Sequence, residues 1–185
     1  MKFAIQSIVS KKFLPIAALA LGVAMLTGCA SPSTPAGMMP TAFQPVNKHP
    51  QTVSVTTSGG QETSSTGKSQ ISDAAFAQAI SDSISTSKTF SQVVQGKGAD
   101  YLLNVTIFNM DQPSFGLSFT VKMEAGWTLR KADTGAVVWQ ESIKSEHTAT
   151  TSDAFAGVER LRLANEGAAK ENIAQGLAKL SALNF

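Results

Sequence analysis

The clearest hydrophobic pattern in the 185-residue chain is a strict alternation of apolar and polar residues from position 115 to position 130. A period of two sustained over this length predicts one long strand with a dry and a wet face. At about 3.4 Å per residue the strand would be nearly 50 Å long, so Gly116 or Gly126 is expected to mark a bulge or a bend. The apolar positions are Phe115, Leu117, Phe119, Val121, Met123, Ala125, Trp127 and Leu129.

Three other segments also have strand-like patterns. Residues 51–57 alternate and are rich in Val and Thr, and residues 101–110 are apolar on both faces, which is typical of a central strand. The sequence KADTG at 131–135 contains the Asp and Gly that favour a tight turn. It therefore predicts a hairpin whose return strand places Val137, Trp139 and Ile143 on one face.

Two segments have helical periodicity. Phe76, Ile80 and Ile84 lie four residues apart, and Ser72 or Asp73 is expected to cap this first helix. A second helix is predicted over residues 153–182, capped by Ser152 or Asp153. Three glycines interrupt its apolar stripe, so the helix either lies close to the sheet at these points or bends there. They are Gly157, Gly167 and Gly176.

The order of these elements, β-α-β-β-β-α, predicts a small α+β sandwich. A mostly antiparallel four-stranded sheet would carry both helices on one face. Residues 57–70 are predicted to be a mobile polar loop. Residues 29–50 are rich in Pro, Ser, Thr and Ala and predict a flexible tether, with an average span of about 26 Å and a maximum of about 70 Å. The folded domain is assigned to residues 51–185.

The amino-terminal residues 1–28 have the pattern of a signal peptide. Lys2, Lys11 and Lys12 precede an apolar run at 13–26, which is too short to cross a bilayer core of roughly 30 Å as a helix. Residues Leu26, Thr27, Gly28 and Cys29 then resemble the bacterial lipobox. The alternatives are an ordinary signal peptide cut near Cys29, or a cysteine that is simply buried.

The lipobox resemblance implies that Cys29 is the first residue of the mature protein. Its thiol would carry diacylglycerol and its amine an acyl chain such as palmitate, and these chains together anchor a protein firmly in a membrane. Ala30 follows where an Asp would favour retention in the inner membrane. The expected location is therefore the periplasmic face of the outer membrane of a Gram-negative bacterium.

Composition argues against several classes of function. Three of the 15 basic residues precede Cys29, which leaves 12 basic against 13 acidic residues, so a nucleic-acid partner is not expected. His49 and His147 lie far apart in the chain, and no serine lies in a GxSxG motif. We therefore expect no catalytic residues, metal or cofactor.

The lipobox, the tether, the segment SKTFSQVV that ends the first helix, the strand ADYLLNVTI at 99–107 and the hairpin GWTLRKADTGAVVWQ at 126–140 together suggest a family. Over about residues 50–182 the chain resembles periplasmic lipoproteins of the TolB amino-terminal type, which include LpoB and CsgG. These proteins act through surfaces, so the resemblance supplies no site residues. It implies a non-catalytic adaptor or activator that binds another cell-envelope component.

The surface predicted to bind that partner is the wet face of the long strand, which includes Lys122, Glu124, Thr128 and Arg130. The other candidate surface is the edge strand near Gln51. An alternative function is binding of a lipid or a glycan beneath the loop at 57–70.

Overall fold

The computed structural model describes residues 30–184. The predicted signal peptide and Cys29 lie outside these residues. The described elements, in chain order, are α1 (Pro35–Met38), β1 (His49–Ser58), α2 (Asp73–Ser87), β2 (Phe90–Val93), β3 (Tyr101–Asp111), β4 (Phe119–Lys131), β5 (Val137–Ala149) and α3 (Gly157–Ala182).

The strands form one mixed sheet in the order β2-β1-β3-β4-β5. β1 is parallel to β2 and to β3, whereas β3, β4 and β5 form an antiparallel meander. The α+β class is confirmed, but the prediction of four strands and two helices was wrong. The additional strand, β2, has only four residues and begins two positions after Lys88, whose left-handed backbone (φ 58°) ends α2. Four residues are too few to show a period of two.

The core lies between one face of the sheet and the helices α2 and α3. Phe76, Ile80 and Ile84 of α2 are fully buried, and the Ser72 side chain accepts a hydrogen bond from the backbone N–H of Ala75. The predicted helix and its cap are therefore confirmed.

Helix α3 packs against β4 and β5 through small residues as well as large ones. At Gly176 the indole ring of Trp127 occupies the space that a side chain would fill, so this glycine does let the helix lie close to the sheet. The Trp127 indole N–H donates to Asn172 Oδ1 at 2.9 Å, and Asn172 Nδ2 donates to the carbonyl of Ile143 at 2.9 Å. Two polar groups are thus satisfied inside an apolar interface.

The strand predicted from position 115 begins later, at Phe119. Phe115 and Leu117 keep the alternation in sequence, but they are 88% and 81% exposed in the loop before β4. Gly116 has φ 145°, outside the range of regular strands. Gly126 remains in register with both neighbouring strands. The register shifts fall elsewhere, between Ile107 and Asn109 of β3 and, in the pairing of β4 with β5, between Leu129 and Arg130.

The final helix also begins later than predicted, at Gly157 and without a side-chain cap. Asp153 instead accepts hydrogen bonds from the backbone N–H and the hydroxyl of Thr150, at 2.7 and 2.9 Å. This turn satisfies the carboxylate outside the helix. Phe155 consequently lies in a loop and is 94% exposed.

The segment predicted to be a flexible tether is packed against the domain over part of its length. Met38 of α1 is fully buried, the Ser33 N–H donates to the Gln70 carbonyl at 3.0 Å, and the Asn47 N–H donates to the Ser181 carbonyl at 3.0 Å. Strand β1 also begins at His49, before the predicted boundary at 51. Hydrogen bonds and one buried methionine hold a segment whose composition offers few large apolar residues.

Candidate functional site

One face of the sheet is turned away from the helices, and we call it the outer face. Buried and exposed residues alternate along β4, so its odd-numbered residues from 119 to 129 line the core and its even-numbered residues line the outer face. All four residues of the predicted docking surface lie there. The outer face also carries Asn104, Thr106 and Phe108 of β3 and Gln140, Ser142, Lys144, Glu146 and Thr148 of β5.

Charges of opposite sign alternate at one part of this face. Lys122 lies directly opposite Glu146, and Glu124 lies directly opposite Lys144, with 3.7 Å between the Lys144 ammonium and the Glu124 carboxylate. Ser142 donates a hydrogen bond of 2.7 Å to the same carboxylate. Such exposed pairs contribute little to stability, so their main effect is to give the surface a fixed charge pattern.

A groove of about 560 Å³ adjoins these charges. Its lining combines residues of β4 and β5 with two residues of α3, Glu171 and Gln175. The Gln175 side chain donates to the backbone carbonyl of Lys144 at 3.2 Å. The groove therefore joins the charged part of the outer face to the helix that packs behind β5.

Hydroxyl and amide groups occupy the next part of the outer face, across β1 and β3. The Asn104 amide donates to the Thr56 hydroxyl at 3.2 Å and accepts from the Thr106 hydroxyl at 3.2 Å. The Thr106 hydroxyl also lies 2.9 Å from the hydroxyl of Ser58. These side chains hold one another in place before any partner arrives, which lowers the entropic cost of binding.

Phe108 is the large aromatic residue of this face and is 62% exposed. Its ring lies over Gly126, where a Cβ would be only 2.3 Å from the Phe108 Cζ atom. Glycine at this position leaves the space that the ring occupies. The ring also borders a cavity of about 380 Å³ between β3 and the loop that follows β1.

The predicted loop at 57–70, whose first two residues belong to β1, lines that cavity and is anchored by several hydrogen bonds. The Gly60 N–H donates to the Asp73 carboxylate at 2.7 Å, and the Gln61 N–H donates to the Ile71 carbonyl at 2.9 Å. Lys68 and Gln70 contribute polar side chains to the cavity. The loop predicted to cover a ligand does lie beside a cavity.

The structure does not gather the predicted docking residues into one cluster. Lys122 and Glu124 border the groove, whereas Arg130 lies at the hairpin, with its guanidinium 3.4 Å from the Gly135 carbonyl. The prediction that Gln51 lies on an edge strand was wrong, because β2 pairs with this half of β1 and forms the edge of the sheet. Ser91 of β2 donates to the Gln51 carbonyl at 2.9 Å.

A polar clamp on α3 holds the amino-terminal segment, and it was not predicted from the sequence. The buried Glu166 carboxylate accepts from the Thr34 N–H at 2.7 Å and from Arg162 at 2.5 Å, and a Cβ on Gly37 would collide with it at 2.2 Å. The hydrogen bond between Arg162 and Glu159 lowers the pKa of Glu159 and raises the pKa of Arg162. The spacing of these charges by three and four residues was the available signal.

Two features are absent from residues 30–184. No helix in this part of the chain is long and apolar enough to cross a membrane. Within the same residues, no group of three or more His, Cys, Asp or Glu side chains is arranged to hold a metal ion.

Comparisons with known proteins identify the fold. A Xanthomonas campestris protein of the DUF330 family is 13% identical with a TM-score of 0.54, covering 81% of this chain and 91% of that one. The chain shares this fold. A hypothetical protein of Chlamydia trachomatis has a TM-score of 0.51 at 10% identity, over 74% of this chain and 100% of that one. The uncharacterized lipoprotein B of Nitrosomonas europaea has a TM-score of 0.49 at 15% identity, over 76% and 88%. No protein-family model and no curated protein sequence matches the chain.

Proposed function

We propose that this protein is a lipid-anchored protein of the bacterial envelope that binds another envelope component through its outer face and catalyses no reaction. The observation that carries the proposal is that this face is uncovered and that its side chains are already ordered. None of the described helices covers it, yet its polar side chains are fixed by mutual hydrogen bonds such as those of Asn104 with Thr56 and Thr106. A surface ordered in advance loses little side-chain entropy when a partner binds.

The proposed location depends on the amino-terminal sequence. The apolar run at 13–26 and the lipobox-like residues 26–29 support lipidation of Cys29, and Ala30 in the next position supports sorting to the outer membrane with the domain in the periplasm. The closer resemblance to lipoproteins of the TolB amino-terminal type stays a prediction. It supports an adaptor or activator role.

Photocrosslinking in intact cells tests the docking surface. A photoreactive residue at Thr128 on the outer face is compared with one at Thr86, which is exposed on α2. We expect one envelope protein to be captured from position 128 and not from position 86. The double substitution Lys122→Glu and Arg130→Glu should abolish that capture, since it reverses the charge pattern of the face.

Two results would contradict this proposal. Equal capture of the same protein from positions 128 and 86 would show that capture is not specific to the outer face. Unchanged capture after the double charge reversal would show that Lys122 and Arg130 do not take part in recognition. Either result would require another surface.

Glycan binding is the second candidate function, and Phe108 is the observation that favours it. An exposed aromatic ring flanked by hydroxyl and amide groups offers both the stacking surface and the hydrogen-bonding groups that a sugar ring uses. Soluble peptidoglycan fragments should then shift the NMR signals of Phe108 and Asn109. Phe108→Ala should abolish these shifts while the spectrum stays that of a folded protein. The absence of shifts in the wild type would exclude this candidate for such glycans.

A further inference from the structure

Three large apolar side chains at one end of the domain are almost completely exposed. Phe115 and Leu117 precede β4 and are 88% and 81% exposed, and Phe155 precedes α3 and is 94% exposed. We call these three residues the apolar tip. Single exposed apolar residues are common on proteins, but a cluster of large ones marks an interaction site.

Arg160 joins the two loops that carry the apolar tip. Its guanidinium donates to the Phe155 carbonyl at 2.6 Å and to the Gly116 carbonyl at 3.2 Å, and it lies 5.3 Å from the centre of the Phe119 ring. The arginine is 93% buried, since only 7% of its surface is accessible. Arg160 therefore holds the two loops of the apolar tip side by side in a defined arrangement.

The amino-terminal segment leaves the domain near this same end. Ser33 is hydrogen-bonded to Gln70 at 3.0 Å, and the neighbouring Ser69 carbonyl accepts from the Gln112 side chain at 2.9 Å. Gln112 begins the loop that contains Phe115. Lys68 reaches the same loop, with its ammonium 3.1 Å from the Ser114 hydroxyl.

The length of chain before this point limits the height of the domain above a membrane. The clamp at Glu166 and the bond at Gln70 hold Thr34 and Ser33. Only four peptide links separate Ser33 from Cys29, and they span at most about 14 Å when fully extended. Lipid chains on Cys29 would therefore keep this end of the domain next to the lipid headgroups.

We propose that the apolar tip inserts into the lipid surface beside the anchor. This inference rests on the proposed lipidation of Cys29. Aromatic and Leu side chains bury well at the boundary between headgroups and acyl chains, and the exposed Lys68 suits anionic headgroups. The acidic residue of the second loop, Asp153, is already bound by Thr150. The hairpin between β4 and β5 then lies at the end of these strands away from the membrane, and the outer face stays open to a partner.

The size of the apolar tip favours a lipid surface over a second copy of the chain. Three large side chains of about 200 Å² each offer roughly 600 Å². A standard protein interface buries about 800 Å² on each partner. A lipid surface needs no matching shape, and the covalent anchor already supplies most of the binding energy.

Depth-dependent quenching tests the proposal on the full chain. The protein is purified from membranes, its amino-terminal mass is measured to detect lipid on Cys29, and it is reconstituted in vesicles of phosphatidylethanolamine, phosphatidylglycerol and brominated phosphatidylcholine. Phe155→Trp is compared with Val137→Trp. Val137 is 47% exposed and pairs with Arg130, at the opposite end of the strands from the Phe119–Ala149 pair.

We expect brominated lipid to quench the added tryptophan at position 155 several-fold more than the one at position 137, after subtraction of the wild-type signal from Trp127 and Trp139. Equal quenching of the two on lipidated protein would overturn the insertion and leave the anchor intact. Shielding of position 155 from both brominated lipid and aqueous acrylamide would show that protein covers the apolar tip, which also overturns the proposal. An unlipidated Cys29 would overturn the anchor and the insertion together.

Discussion

Replacing Gly176 with alanine is expected to destabilise the domain, although alanine is the better helix former. A Cβ at this position would lie 2.5 Å from Cζ2 and 2.6 Å from Cη2 of Trp127. Trp127 is fully buried, and its indole N–H is bound to Asn172 at 2.9 Å. The ring therefore has no free space to enter and cannot turn without losing a buried hydrogen bond.

The expected magnitude follows from three opposing effects. Forcing an additional methyl group into a well-packed core costs about 1–3 kcal/mol. Weakening the hydrogen bond between Trp127 and Asn172 costs about 1 kcal/mol more. Exchanging glycine for alanine inside a helix stabilises the helix by about 1 kcal/mol. We expect Gly176→Ala to lower the free energy of unfolding by about 1–3 kcal/mol.

Gly167→Ala in the same helix is the matched control, and we expect the opposite sign. A Cβ there would lie 2.1 Å from Cδ2 of His147, which is closer than the contact at Gly176. The His147 side chain, however, is exposed, so we expect it to rotate into solvent. The gain in helix propensity then dominates, and the variant should be more stable by about 0.5–1 kcal/mol.

Urea denaturation, followed by far-ultraviolet circular dichroism and by tryptophan fluorescence, measures both variants against the wild type. Equal slopes of unfolding free energy against urea would allow the midpoints to be compared directly. If Gly176→Ala were as stable as the wild type, the close packing of α3 on Trp127 would be refuted. A destabilised Gly167→Ala would show that His147 is held more firmly than its exposure implies.

Three further substitutions test other contacts. Asn172→Leu should lower the free energy of unfolding by about 1–3 kcal/mol in urea denaturation, because it leaves the indole N–H of Trp127 without an acceptor inside the core. Glu166→Leu should make residues 33–38 more susceptible to limited proteolysis while far-ultraviolet circular dichroism stays unchanged; an unaltered cleavage rate would contradict the clamp. Hydrogen bonds from the Thr52 N–H and hydroxyl lower the pKa of Asp100, so the stabilisation is present above the ordinary carboxyl pKa of about 4 and is lost as pH falls through the folded value. Asp100→Asn should therefore show a smaller loss of stability than the wild type when denaturation is repeated at decreasing pH.

The elements that the sequence predicted well are those whose burial repeats over many residues. The alternation from 119 to 129 matched β4 because each apolar residue there lies on the core, and the spacing of Phe76, Ile80 and Ile84 matched α2 for the same reason. Phe115 and Leu117 continue the pattern by composition alone. Their contacts depend on where the loop turns, which periodicity does not encode.

The remaining errors concern contacts between distant parts of the chain. The short strand β2 exists because β1 offers it a parallel edge, and its own four residues carry little information. Likewise, residues 33–38 are ordered by Glu166, which lies more than 120 positions later in the chain. Composition correctly indicated that this segment has few large apolar residues, but it could not reveal that a buried carboxylate binds its backbone.

The two parts of the outer face also differ in how far they were predictable. The wet side of β4 follows from alternation, so Lys122, Glu124, Thr128 and Arg130 were placed on the correct face. Phe108 was not singled out, because residues 101–110 were interpreted as a central strand with two apolar faces. In the structure the even-numbered face of β3 is the uncovered one, and Phe108 is 62% exposed there.

The clamp at Glu166 shortens the part of the predicted tether that is free of the domain. With Ser33 held, the free chain after Cys29 spans at most about 14 Å, whereas release as far as Asn47 would extend this limit to about 60 Å. With the proposed lipid on Cys29, the clamp would set the height of the domain above the membrane without altering the anchor or the outer face. A partner that binds the outer face close to the membrane would favour the clamped form, because release of the segment would only add conformations that the complex must then lose.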